Sequence, residues 1–281
     1  VRGFIALRNI VKAWLLLAGM CGVLALIGWK LGGVQVLSLF VFCGLLLAVG
    51  AYWQFDRVVL GMVGARELPL GEAPLLHSTV ERLAAIAGVG KPKLYLIPNG
   101  LPRSLATGRG PRGSTIAVSS GLVSACTPAE LEGVLAHELA HVRHHDVELQ
   151  TAVVVLATSL VEFSRIGGFL QRALLFVLGP VAAACVHLLL SPKREIEADR
   201  AAAAICGSPH GLADALLRLE QAAELVEFRA SPATEPLYPF NPFLAEGLAT
   251  LFDTHPPMVD RIRRLRDLDP GWREKLRIEA A

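Results

Sequence analysis

Two histidines four residues apart with a glutamate beside the first, His137-Glu138-Leu139-Ala140-His141, are the residues of this chain best suited to chemistry. On an α-helix, positions four apart lie one turn above each other on one face. His137 and His141 can therefore share one zinc ion through their ring nitrogens, at about 2.0–2.1 Å. Glu138 points into the same space and can take a proton from a water that such an ion activates. The implied chemistry is metal-assisted hydrolysis. The plain alternative is an exposed helical turn carrying two surface histidines, and two features of the sequence oppose it.

The first is how the helix is written. Thr127-Pro128-Ala129-Glu130 has the form of a capping box with proline at the first helical position, so a helix starts at about Pro128. Leu131, Val134, Leu135, Leu139 and Val142 give it an apolar stripe, which sets the histidines among core-type residues. The second is a source for a further ligand, since a catalytic zinc takes three protein ligands and keeps one position open. Arg194-Glu195-Ile196-Glu197-Ala198-Asp199-Arg200 is a helical, carboxylate-rich stretch. Glu195 and Asp199 lie one turn apart, as a ligand and a carboxylate orienting a histidine N–H would. Taken alone, the stretch reads as a solvated charged helix.

Three motifs, in this order, resemble the M48 peptidases and specifically the HtpX-like membrane zinc metalloproteases. They are His137-Glu138-x-x-His141, Glu195-x-x-Ala198-Asp199, and Thr254-His255-Pro256-Pro257 followed by Arg261-Ile262-x-x-Leu265. Ala106-Thr107-Gly108, Thr115-Ile116-Ala117-Val118 and Ser120-Gly121-Leu122 match the run-up to the zinc helix, so the likeness covers nearly the whole chain. It implies an α+β, mainly helical, zincin-like (gluzincin) metalloprotease domain with a small sheet, carrying transmembrane helical hairpins. It also implies one zinc per chain, held by His137, His141 and Glu195 rather than Glu197. Glu138 is the implied base. His255 reads either as a core histidine or as an oxyanion donor, and the resemblance favours the donor. The implied activity is hydrolysis of membrane or misfolded polypeptides in membrane-protein quality control under stress.

Three departures stand out. Arg103-Ser104-Leu105-Ala106-Thr107-Gly108 replaces the usual Asn-Ala-Phe-Ala-Thr-Gly. His144-His145-Asp146 replaces Asn-Gly-Asp, and Ile196 stands where Tyr or Phe usually follows the glutamate ligand. These bear on substrate preference and turnover; the metal ligands and the base are intact.

The rest of the chain must position these groups. It is 281 residues long, 53% hydrophobic and 19% charged, with a mean hydropathy of +0.49. Soluble domains average about 45–50% apolar and about 25% charged residues, so membrane segments are expected. A net charge of +2 argues against a nucleic-acid surface. Residues 13–29 and 31–55 are apolar runs of about the 17–25 residues a span needs, joined by a turn at Lys30. The first lacks a convincing signal-peptide cleavage site and is followed at once by the second, so a retained hairpin is expected. Arg2, Arg8 and Lys12 before it and Arg57 and Arg66 after it put both ends in the cytoplasm. With the resemblance, which implies a bacterial inner membrane, the expected location is multi-pass there with the site facing the cytoplasm.

The organisation that follows is a hairpin at 1–56, a first part of the domain at 57–148, a second hairpin at 149–190 and a second part at 191–281. In the first part, Pro74 to Ala87 reads as a helix with Leu75, Val80, Leu83 and Ile86 inward. Lys93 to Ile97 and Thr115 to Ser119 read as strands; an edge strand beside the zinc helix suits an extended peptide substrate. Gly108 to Gly113 reads as a hairpin tip. The second hairpin comprises 149–161, short for a span, and 173–190; Asp146 and Lys193 put both its ends on one side. Leu212 to Phe228 reads as a helix under the site, 230–242 as a loop over the surface, and the last helix begins after Pro257. Five cysteines without a CxxC suit a reducing cytoplasm and exclude a thiolate zinc site.

Three other functions fit less well. An intramembrane protease would bury HExxH inside a span, but Arg143, His144, His145 and Asp146 follow this one. A CaaX-type prenyl-protein protease would need more spans than this length provides. A catalytically silent membrane scaffold would have no use for Glu138.

Overall fold

The computed structural model describes residues 56–108, 110–151, 153, 191–225 and 256–271, with a subset of positions between 11 and 54 that are helical. Among the described residues no helix is long and apolar enough to cross a membrane. Most of the apolar runs at 13–29 and 31–55, the second hairpin beyond residue 153, the 230–242 loop and His255 lie outside them.

Residues 56–62 are helical and lead into strand β1, Arg66–Glu67. Helix α1, Pro74–Ala87, starts on a proline and stops at Gly88, whose φ of 71° is a left-handed conformation that glycine adopts without a side-chain penalty. Strands β2 (Lys93–Ile97), β3 (Ser104–Gly108) and β4 (Ser114–Ser119) complete a sheet of order β1-β2-β4-β3. The β2–β4 pair is parallel and the other two are antiparallel. Ser119 then caps the short helix α2, Ser120–Ala125, by accepting from the Leu122 N–H. Helices α3 (Pro128–Arg143), α4 (Pro192–Cys206), α5 (His210–Leu225) and α6 (Met258–Arg266) follow.

The sheet is covered on both faces. Strand side chains alternate, so Ala106, Ile116 and Val118 enter the main core with Val80 and Leu83 of α1 and Val134, Leu135 and Leu139 of α3. Leu105 and Ala117 point the other way and meet Val59, Leu60 and Ile97. Helix α3 is central, packed against α1, α4, α5 and β3. It reaches α5 through two glycines. A Cβ at Gly133 would overlap the backbone of Leu212, and one at Gly211 would overlap the Ala129 carbonyl.

Two expectations are corrected. The buried face of α1 is Leu76, Val80, Leu83, Ala84 and Ala87, while Leu75 is 82% exposed and Ile86 also faces solvent. Apolar residues at 75, 76, 83 and 86 allow either register, and packing in the core shared with α3 selects the one through Leu76. Strand β3, not read as a strand, forms the sheet's edge, and β4 is interior. Ser-Leu-Ala-Thr-Gly has little intrinsic strand preference; the pairing with β4 makes it one.

Candidate metal centre

The cap of α3 forms as its sequence dictates. Thr127 Oγ1 accepts from the Glu130 N–H at 3.3 Å, and Glu130 accepts from the Thr127 N–H at 2.8 Å. Arg218 of α5 makes two 3.0 Å bonds to the same carboxylate, which ties the start of α3 to α5. With that start fixed, His137, Glu138 and His141 all fall on buried positions of α3, and α4 brings the buried Glu195 across to them.

Nε2 of His137 and Nε2 of His141 are 3.2 Å apart. Glu195 Oε2 is 3.5 Å from the first, and Glu195 Oε1 is 3.5 Å from the second. A tetrahedral ion with bonds of about 2.0–2.1 Å requires ligand atoms about 3.3–3.4 Å apart. The two histidine nitrogens are close to that spacing and Glu195 turns one oxygen toward each, so the three side chains surround a space that one cation can occupy, with room for a further ligand. Among the described residues they are the cluster of His, Cys, Asp and Glu side chains placed to hold a metal.

Each histidine is aimed by a carboxylate. His137 Nδ1 lies 3.0 Å from Asp199 Oδ1, and His141 Nδ1 lies 3.0 Å from Asp146 Oδ2. An ionised carboxylate only accepts, so His141 Nδ1 donates to Asp146 and its Nε2 is turned toward Glu195; Asp199 stands beside His137 Nδ1 in the same relation, without an aligned hydrogen bond. Asp199 is itself held by Arg261 of α6, through Nε at 2.8 Å and Nη2 at 2.7 Å. Arg261 is fully buried, in a planar two-bond geometry that lysine could not reproduce.

The electrostatics follow from burial and these partners. Burial pushes the Asp199 carboxyl up, but the Arg261 guanidinium outweighs it and, with His137 close by, holds it at about 2. Burial disfavours a charged His141, yet Glu195 and Asp146 outweigh that and raise it to about 10. The cluster thus calls for positive charge, which a divalent cation supplies. Glu138 is raised above the ordinary carboxylate range, first by burial, against the opposing pull of His137, His141 and a hydrogen bond from Ser104.

The sequence profile of peptidase family M48 matches residues 71–269. The chain belongs to peptidase family M48. Proteins described as "Protease HtpX homolog" are similar over almost their full lengths. The one from Pelotomaculum thermopropionicum is 38% identical over 275 residues, covering 92% of this chain and 98% of that protein. The one from Pyrococcus abyssi is also 38% identical over 275 residues, covering 92% and 95%. The crystal structure of Ste24p from S. mikatae superposes with a TM-score of 0.49 at 21% identity, covering 93% of this chain and 66% of that one.

As an M48 peptidase with this cluster, the protein is a metalloprotease. His137, Glu138, His141, Glu195 and Asp199 all converge, while Glu197 is exposed on another face of α4. His255 lies outside the described residues. Three contributors escaped sequence reasoning. Asp146 reads in the sequence as the end of the departing His144-His145-Asp146 segment and as a charge flanking the second hairpin, not as a partner of His141. Arg261 sat in a matched motif but read as one charge of a basic helix. Ser104 carried no signal, because nothing in the sequence announces that β3 runs past Glu138. The departure at 144–146 also resolves: His145 takes a φ of 59°, the left-handed conformation suited to the glycine it replaces, and so delivers Asp146 to His141.

Proposed function

We propose that this chain is a membrane-anchored zinc endopeptidase that cleaves membrane or misfolded polypeptides at the cytoplasmic face of a bacterial inner membrane, in membrane-protein quality control. The observation that carries this is the convergence of His137, His141 and Glu195 into one buried group able to hold a metal, with a buried Glu138 beside it. The membrane assignment is supported by the apolar runs at 13–29 and 31–55 and their flanking charges. Relatives named as HtpX protease homologues support polypeptide substrates.

The chemistry that zinc supplies when bound is Lewis acidity, which polarises a carbonyl and acidifies water toward a pKa of about 7. Asp199 and Asp146 keep the two imidazoles turned with Nε2 inward. Glu138 accepts the proton of the attacking water on its carboxylate and later delivers it to the leaving amine nitrogen. Its burial keeps its proton affinity above that of an exposed glutamate, which suits a base working near neutral pH. No covalent intermediate is required. The intact Glu138 gives no support to a silent scaffold.

The test is casein cleavage by the purified full-length chain in detergent, with metal analysis of the same sample. We expect one zinc per chain, loss of cleavage with a chelator and recovery on adding zinc back. Undiminished cleavage by metal-free protein would overturn the proposal.

A further inference from the structure

The base has a neighbour that metal binding does not use. Ser104, the first residue of β3, is completely buried, and its Oγ donates to Glu138 Oε1 at 2.7 Å. Strand alternation accounts for its direction. Ala106, two residues on, packs in the α3-side core, and Leu105 faces the opposite cluster.

The entry to β3 is also anchored. The Arg103 N–H donates to Ser119 Oγ at 2.9 Å, and the Ser119 N–H donates to the Arg103 carbonyl at 2.9 Å. The same Ser119 Oγ accepts from the Leu122 N–H at 3.0 Å. Ser104 pairs with Val118 in the interior strand β4. Its hydroxyl is therefore presented from a fixed backbone.

We propose that Ser104 is a positioning residue for proteolysis: its hydroxyl fixes the rotation of the Glu138 carboxylate, leaving Oε2 as the oxygen that takes the water's proton. The inference rests on Glu138 being the base. A glutamate's last torsion is broad and two-fold, so an unheld carboxylate samples orientations that cannot take the proton. Efficient proton transfer needs heavy atoms within about 2.6–3.2 Å and aligned. The contact also survives the cycle. Once Oε2 carries the proton, Oε1 is a carbonyl oxygen and still accepts from Ser104, whose own proton never leaves.

The test is a double-mutant cycle on the full-length chain with a fluorogenic peptide, using Ser104→Ala, Glu138→Gln and both together. Zinc content and melting temperature are measured on the same samples. Ser104→Ala should lower kcat about tenfold, equivalent to about 1.4 kcal/mol. KM should change less than about twofold and zinc content not at all, while the melting temperature falls by a few degrees at most, since a buried carboxylate loses one hydrogen bond. In the Glu138→Gln background, Ser104→Ala should alter the residual rate less than about twofold, because the group it acts through is gone. Parental kcat in Ser104→Ala, a loss explained by missing zinc, or the same tenfold loss in both backgrounds would overturn the proposal. Parental activity in Glu138→Gln alone would refute the base itself, and the inference with it.

Discussion

Replacing Arg261 with methionine tests whether α6 supports the metal site from below. The substitution keeps length and apolar stem but deletes two bonds, of 2.7 and 2.8 Å, to a carboxylate with almost no solvent contact. Removing one member of a buried ion pair costs about 3–5 kcal/mol, because the other charge stays buried and uncompensated. For a chain of this size that corresponds to a melting temperature lower by about 6–20 °C. The effect should depend on pH, with a definite sign. Asp199 is held at about 2, below its unfolded value of about 3.9. Its contribution to stability is therefore full above the unfolded value and is lost as pH falls through about 2. Without Arg261, burial dominates and raises Asp199, so the deficit is largest at neutral pH and shrinks as acid neutralises the carboxyl. Because Asp199 aims His137, zinc affinity should also fall about 10–100-fold. Thermal melts of the detergent-solubilised chain and zinc competition with a chromogenic chelator read the two effects separately. The double variant Asp199→Asn/Arg261→Met removes the stranded charge, so it should regain stability while still binding zinc weakly. An Arg261→Met protein with parental melting temperature and parental zinc affinity would refute this reasoning.

Three further outcomes follow from the same geometry. Glu195→Ala should lose zinc by metal analysis while Glu197→Ala keeps it, since only Glu195 reaches both histidines; the reverse would show that the α4 register is wrong. Asp146→Asn keeps the side-chain shape but weakens the acceptor for His141 Nδ1, so chelator competition should show about 10–100-fold weaker zinc binding with little change in melting. His145→Gly should raise stability by about 1 kcal/mol in denaturant titration, because a left-handed non-glycine residue costs about 1–2 kcal/mol and the 3.2 Å His145–Glu148 contact returns only part of it.

The parts of this protein legible in its sequence are those governed by local rules. The α3 cap, its start at Pro128 and the one-turn spacings of His137 with His141 and Glu195 with Asp199 depend on residues at most four positions apart. The rest depends on which surfaces meet. Whether Leu75 or Leu76 faces inward is decided by the core that α1 shares with α3, not by the helical period. Strand β3 exists through its register with β4, and only that register sets Ser104 against Glu138. Arg261 lies 62 positions from Asp199, and nothing within α6 distinguishes it from Arg263 or Arg264 until α4 is packed beside it. Ser104 and Arg261 were thus the hardest to see, because each belongs to a different element from the one it serves and no local spacing marks it.

The most direct test of the account is the cleavage rate of Glu138→Gln measured against its own zinc content. Glu138 is not a ligand, so the variant should hold one zinc per chain and melt with the parent. General-base assistance is worth about 10²–10⁴-fold, and cleavage should fall by at least the lower figure. A Glu138→Gln protein with full zinc occupancy and undiminished cleavage would contradict the account, since the hydrolytic base would then lie elsewhere.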